Sequence, residues 1–183
     1  MSVFSNPASS SAADAAAYVA GLLHLLGDHD PALILGHTPI AIQHFLDTVP
    51  AEIAAKPEAP GKWSIQEVIQ HLADSELVGG FRLRMVLAQD RPRLTGYDQD
   101  LWATRLDYRN IDIREALEQF VALRRVNARL WQHLTPGDLA RVGLHDERGE
   151  ESLEHMRRLY AAHDLLHLQQ LKRIRVALLP ATP

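Results

Sequence analysis

Apolar residues return every three to four positions through three long stretches of this chain, and each stretch opens on a capping signal, which leaves the backbone little alternative to helix. The first opens at Ser64-Ile65-Gln66-Glu67, a capping box in which the serine hydroxyl accepts from the N3 amide and the glutamate accepts from the N-cap amide. Ile65, Val68, Ile69, Leu72, Leu83, Val86 and Leu87 keep the 3.6-residue period to about Gln89, and Arg91-Pro92 closes the helix. Asp112 caps the second stretch, with Glu115 in the capping-box position, and Pro136-Gly137 ends it. Ser152 caps the third, which runs to about Leu179 before Pro180. Ahead of these, Ala15 to Leu26 and again Pro31 to Val49 read as one broken helical arm, with Thr38-Pro39 as an internal break or restart. No segment shows the period-2 alternation of a strand. Three long helices and a helical arm pack most naturally as a four-helix bundle, so the expected fold is all-α.

A chain of 183 residues suits a single domain, expected over residues 15–183, and residues 1–14 are small, polar and aperiodic enough to read as a flexible tail. Residues 50–62, 90–110 and 137–150 are connectors rich in Pro, Gly or charge, and loops as long as 90–110 often serve function in compact domains. The 19 basic and 23 acidic residues are interspersed, without the basic stripe a phosphate backbone needs, so no nucleic-acid partner is expected. No basic-then-apolar leader and no 18-residue apolar run occurs, so no membrane partner is expected either, and the expected location is cytoplasmic. With no cysteine, the chain has no thiolate of its own to offer as ligand or nucleophile.

Chemistry is carried by histidines. Met156, Tyr160, His163, His167, Gln170 and Ile174 step by three or four, so two imidazoles stand in the middle of one helix face. An i, i+4 pair can reach one cation together, at about 2.0–2.1 Å for zinc. A third ligand must come from another helix, and His71 is the candidate, although it is offset by one residue from the strict core register of Ile65, Ile69 and Leu72. On residues alone the alternative stays open: three core or boundary histidines satisfied by carbonyls, by Gln70, Asp74, Asp164 or Gln170, or by water. His24, His29, His37, His44, His133, His145 and His155 fall in the arm, at helix ends or in loops and are read mostly as surface residues.

Trp63-Ser64 leading into His71-Leu72-Ala73-Asp74-Ser75-Glu76, together with Tyr160-Ala161-Ala162-His163-Asp164-Leu165-Leu166-His167-Leu168, resembles the DinB/YfiT-like superfamily. Gly96-Tyr97-Asp98-Gln99-Asp100-Leu101-Trp102 and His145-Asp146-Glu147-Arg148-Gly149-Glu150 are similar to segments of its YfiT-type branch, which includes bacillithiol S-transferases. One departure is Gln70, where that branch often has a second histidine.

The resemblance implies a four-helix bundle in which His71, His163 and His167 bind one divalent metal ion, zinc or nickel, with His145 outside the ligand set. It also implies a homodimer. Relatives of this kind include thiol-dependent transferases, a thiol-dependent maleylpyruvate isomerase and proteins described only as hydrolases. The leading expectation is therefore a metal-dependent transferase that joins a small thiol to a small electrophile. A metal-dependent hydrolase and a non-catalytic metal-binding bundle are the alternatives. Asp74, one turn after His71, is the expected outer partner of the site, and Tyr97, Asp98, Trp102 and Tyr160 are expected at its pocket.

Overall fold

The computed structural model describes residues 12–179. Most of the expected tail lies outside the described residues, and the first helix, α1 (Ala12–Leu26), already includes Ala12, Ala13 and Asp14. It is followed by α2 (Pro31–Leu46), a single turn α3 (Ala51–Ala54) and α4 (Ile65–Ala88). The connection after α4 holds a two-residue strand β1 (Arg93–Leu94), a short helix α5 (Gln99–Arg105) and a 3₁₀ turn at Tyr108–Asn110. Then come α6 (Ile113–Gln132), the single turn α7 (Pro136–Leu139), strands β2 (Val142–His145) and β3 (Gly149–Ser152), and α8 (Leu153–Leu178). Ser64, Asp112 and Ser152 cap α4, α6 and α8 through their side chains, as read from the sequence.

The bundle is a ring. Helix α4 packs against α6 and α8, α2 packs against the same two, and α1 lies outside against α8. One apolar cluster joins Ile65, Ile69 and Leu72 of α4 to Phe120 of α6 and to Leu171 and Ile174 of α8. Another joins Leu83 and Val86 of α4 to Leu94, Leu153 and Met156. Along α4 the two are separated by buried Asp74, Ser75 and Glu76, and along α8 by the histidine-bearing turns, so a polar layer crosses the interior between apolar ends.

Arg124 holds that layer together. Its guanidinium donates to Glu76 of α4 at 2.8 Å, to both carboxylate oxygens of Asp164 of α8 at 2.6 and 3.0 Å, and to the Leu35 carbonyl of α2 at 2.8 Å. One side chain of α6 thus ties all four bundle helices. This explains why Pro39 does not break the arm where the sequence suggests. A proline lacks the N–H that would bond the carbonyl four residues earlier, here Leu35, and Arg124 supplies the missing donor. Helix α2 therefore runs through Pro39, and the arm is divided only between its two expected stretches, at residues 27–30, where Gly27 takes φ +53° and Asp30 caps α2.

The second departure from expectation is β2 and β3, which pair antiparallel, with β1 parallel to β2. Their buried positions are Gly143, His145 and Glu151, so the apolar alternation that marks a strand never arises. Within the bundle, α4 approaches α6 and α8 closely at Gly79 and Gly80. A Cβ at Gly80 would overlap the Asn127 amide, which is held in place by donating to Glu76, and a Cβ at Gly79 would overlap the Tyr160 ring. Overpacking of this kind costs about 1–3 kcal/mol. Gly80→Ala is accordingly expected to lower the urea midpoint by an amount in that range, and an unchanged midpoint would refute the close packing. Among the described residues no helix is long and apolar enough to cross a membrane.

Candidate metal centre

Helix α4 carries His71 at its middle and α8 carries His163 and His167 one turn apart. The packing of the two helices brings the three rings together. His163 Nε2 lies 3.1 Å from His71 Nε2 and 3.0 Å from His167 Nε2, and the potential ligand atoms of the three all fall within 4.8 Å of one another. Tetrahedral bonds of about 2.0–2.1 Å place ligand nitrogens ~3.3 Å apart, so the two spacings at His163 are close to what a single ion requires.

Protonation favours the same use. Burial holds His71 and His163 well below the ordinary imidazole pKa, and the neighbouring histidines push them further in the same direction. Burial also lowers His167, to about 4, against the opposing pull of Gln170 and Asp164. All three rings are therefore neutral at pH 7, as ligands must be. At His167 the tautomer follows from the neighbour: Nδ1 donates to Gln170 Oε1 at 2.7 Å, which leaves the Nε2 lone pair facing the other two rings. His71 stacks obliquely on Trp63, with 5.0 Å between ring centroids, and its Nδ1 is buried without a partner. His71 and His167 are fully enclosed, whereas His163 is half-buried and faces a cleft. The donor set fits a divalent cation with one side left open towards that cleft.

The cleft is open, and the space of about 660 Å³ at the triad includes bulk solvent at its mouth. Of the residues that the sequence suggested for a pocket, Tyr97 and Tyr160 line this cleft. The other expected pocket residues lie elsewhere. Trp102 packs behind Tyr97 at 4.5 Å between centroids, and Asp98 is the N-cap of α5, accepting from the amides of Asp100 and Leu101. Asp74 does not turn to His71; its carboxylate accepts from the Tyr108 hydroxyl and from the amides of Gln70 and Gln119.

Several lining residues escape a reading of the sequence: Tyr18 of α1, Arg82 of α4, Gln99 of α5 and Arg148 of the β2–β3 turn. Arg82 had a usable signal. It follows His71 by eleven residues, just over three turns, and so shares its helix face.

Among the other histidines, His24, His29, His37, His44 and His133 are exposed. His145 departs from the surface-loop expectation, because it ends β2 with only 3% of its surface exposed. Burial first, then the charges of Arg148 and Arg82, lowers its pKa to about 4, with Glu151 opposing. The unfolded chain therefore takes up this proton before the folded one does. Its contribution to stability is complete above about pH 6.5 and is lost as the pH falls from there towards about 4. Urea midpoints should fall less steeply over that window in His145→Asn than in the wild type, and identical slopes would refute the assignment.

Converging imidazoles inside a helical ring, open on one side to a cleft, define a bundle protein built around a candidate metal centre. The chain belongs to the DinB superfamily, whose sequence profile matches residues 35–171. It is similar to a provisionally named metal-dependent hydrolase of Oceanobacillus iheyensis, 34% identical over 108 residues, which covers 59% of this chain and 62% of the relative. Another relative, from Bacillus licheniformis and named in the same way, is 29% identical over 134 residues, covering 70% of this chain and 76% of its own length. Against the former the match spans less than two thirds of the relative's length. The solved structure of Bacillus subtilis YfiT, described provisionally as a metal-dependent hydrolase of unusual four-helix-bundle topology, superposes with a TM-score of 0.74 at 22% identity. It covers 79% of this chain and 83% of that one, which establishes the fold.

Proposed function

We propose that this protein is a metal-dependent transferase that joins a low-molecular-weight thiol to a small electrophile, with His71, His163 and His167 holding the ion. The observation that carries the reading is the convergence of three neutral imidazoles whose open side faces a solvent-open cleft with both polar and apolar walls. A divalent cation held by these three imidazoles would supply Lewis acidity, favouring the ionised form of a thiol bound in the cleft.

The protein's own residues favour a nucleophile that needs no separate base. Apart from the triad, the polar side chains lining the cleft are hydroxyls, an amide and guanidinium groups. Water as nucleophile calls for a positioned base within hydrogen-bonding reach; a thiol, once ionised, does not. Val19, Leu22, Met156 and Leu159 supply apolar wall for the carbon skeleton of an electrophile. Gln170 holds His167 in its ligating tautomer, and Trp63 covers the buried flank of His71.

The names of the relatives favour a second reading, hydrolysis. Product analysis separates the two. Protein purified without a histidine tag is analysed for its metal and then offered monochlorobimane with a panel of small thiols and with none. The expected result is a thioether conjugate formed only when both metal and thiol are present. Metal-dependent hydrolysis of ester or amide substrates without thiol would favour the relatives' reading instead. Turnover of neither kind would leave a non-catalytic metal-binding bundle.

A further inference from the structure

Arg82 is a buried cation without a counter-ion. Only 6% of it is exposed; one Nη2 hydrogen goes to the Thr95 carbonyl, and no carboxylate pairs with it among the described residues. Buried guanidinium groups are ordinarily paired, because an unpaired one has lost its hydration without replacement. Arg82 lines the cleft, on the same face of α4 as His71. A second observation is independent of it. Gln99, 8% exposed and contributed by α5, also lines the cleft, and its Nε2 is buried with no acceptor.

The surroundings reinforce these two donors. Arg148, also at the cleft, is bound through two parallel contacts to Glu151, at 2.6 and 2.9 Å, so its guanidinium is already engaged while Arg82 has no direct carboxylate partner among the described residues. Burial pushes the pKa of Tyr18 and of Tyr97 up to about 12, so both phenols keep their protons at pH 7.

We infer that the cleft takes a small organic acid, its carboxylate received by Arg82 and Gln99 and its apolar body lying along Leu22, Met156 and Leu159 towards the triad. A carboxylate matches both needs: it accepts from the guanidinium through a charge-assisted bond and still has an oxygen for the amide. The inference rests on reading the triad cleft as the substrate site, and it narrows the substrates of the proposed transfer to carboxylic acids.

The test is isothermal calorimetry on the full chain with phenylacetate and its uncharged isostere phenylacetamide, using zinc-loaded and metal-free protein. Phenylacetate should bind at least about tenfold more tightly in both forms, the least that one charge-assisted hydrogen bond confers. In Arg82→Met the acid and the amide should bind within about twofold of one another. Gln99→Leu should weaken the acid by several fold and leave the amide unchanged. Thermal melting reports whether Arg82→Met folds; if it does not, Arg82→Lys, which keeps the charge but loses the planar fork, should retain only part of the preference.

Equal binding of acid and amide to the wild type overturns the inference, as does no measurable phenylacetate binding. A preference that survives in Arg82→Met, or that vanishes with the zinc, overturns it too, because the ion would then be the group recognised. Neither ligand is a thiol, so these outcomes are independent of the bimane assay. Conjugation can proceed with no acid preference, and acid preference can stand where no conjugation occurs.

Discussion

The Arg124→Met variant is expected to lose about 3–5 kcal/mol of unfolding free energy, the usual cost of removing one member of a buried ion pair. Arg124 is 4% exposed, and its partners Glu76 and Asp164 are as deeply enclosed. Methionine replaces the volume but leaves two carboxylates without a counter-ion and the Leu35 carbonyl without a donor. Lysine keeps the charge, yet its single ammonium lacks the guanidinium's planar fork of donors, so Arg124→Lys should fall between methionine and the wild type. Urea unfolding followed by circular dichroism measures the loss. In thermal melts it corresponds to a drop of about 6–20 °C for a chain of this size. A cost below ~1 kcal/mol would show that the network is solvated or dispensable. Replacing all three charged groups by apolar residues of similar volume should recover much of the loss, since the penalty comes from the carboxylates left alone.

The second large effect is expected at the triad. Changing a partner that merely orients a ligand weakens metal binding by roughly 10–100-fold, and Gln170→Leu should fall in that range because it frees the His167 ring to rotate and change tautomer. His163→Ala removes one of the three proposed ligands outright and should exceed it, with the metal content of zinc-loaded protein after desalting falling towards zero. Competition with a chromophoric chelator reads both variants on one scale. His163→Ala retaining wild-type affinity would sink the assignment of the triad. Because His163 is the ring that faces the cleft, its loss should not collapse the core, and far-ultraviolet circular dichroism of the metal-free variant should match that of the metal-free wild type.

How far these features can be read from sequence follows the range of the interaction behind each. The caps at Ser64, Asp112 and Ser152 act over three residues, and the i, i+4 spacing of His163 and His167 over one turn, so both are visible in a short window. The persistence of α2 through Pro39 is not, because the donor that satisfies Leu35 lies on another helix. The β2–β3 hairpin is hidden for a different reason: its inward positions carry glycine, histidine and glutamate, whose burial depends on the bundle beneath them and on the Arg148 partner of Glu151. The same limit applied to Asp74, whose spacing from His71 suggested a partnership that Tyr108, Gln70 and Gln119 take up instead.

From the chain alone come the long helices, their order, the bundle as their packing solution, and the His163–His167 pair on one helix face, each read from periodicity or from contacts within a turn. His71, a candidate offset from the core register, joined the pair through the resemblance to the DinB/YfiT-like superfamily. Tertiary structure alone decided that a single arginine of α6 would span the other three helices, and that Tyr18, Arg82, Gln99 and Arg148, from four separate segments, would close around the open side of the triad. Charge and hydrogen-bonding need have no period along the chain, and whether a buried donor finds its acceptor depends on which distant segments the folded backbone brings within about 3 Å.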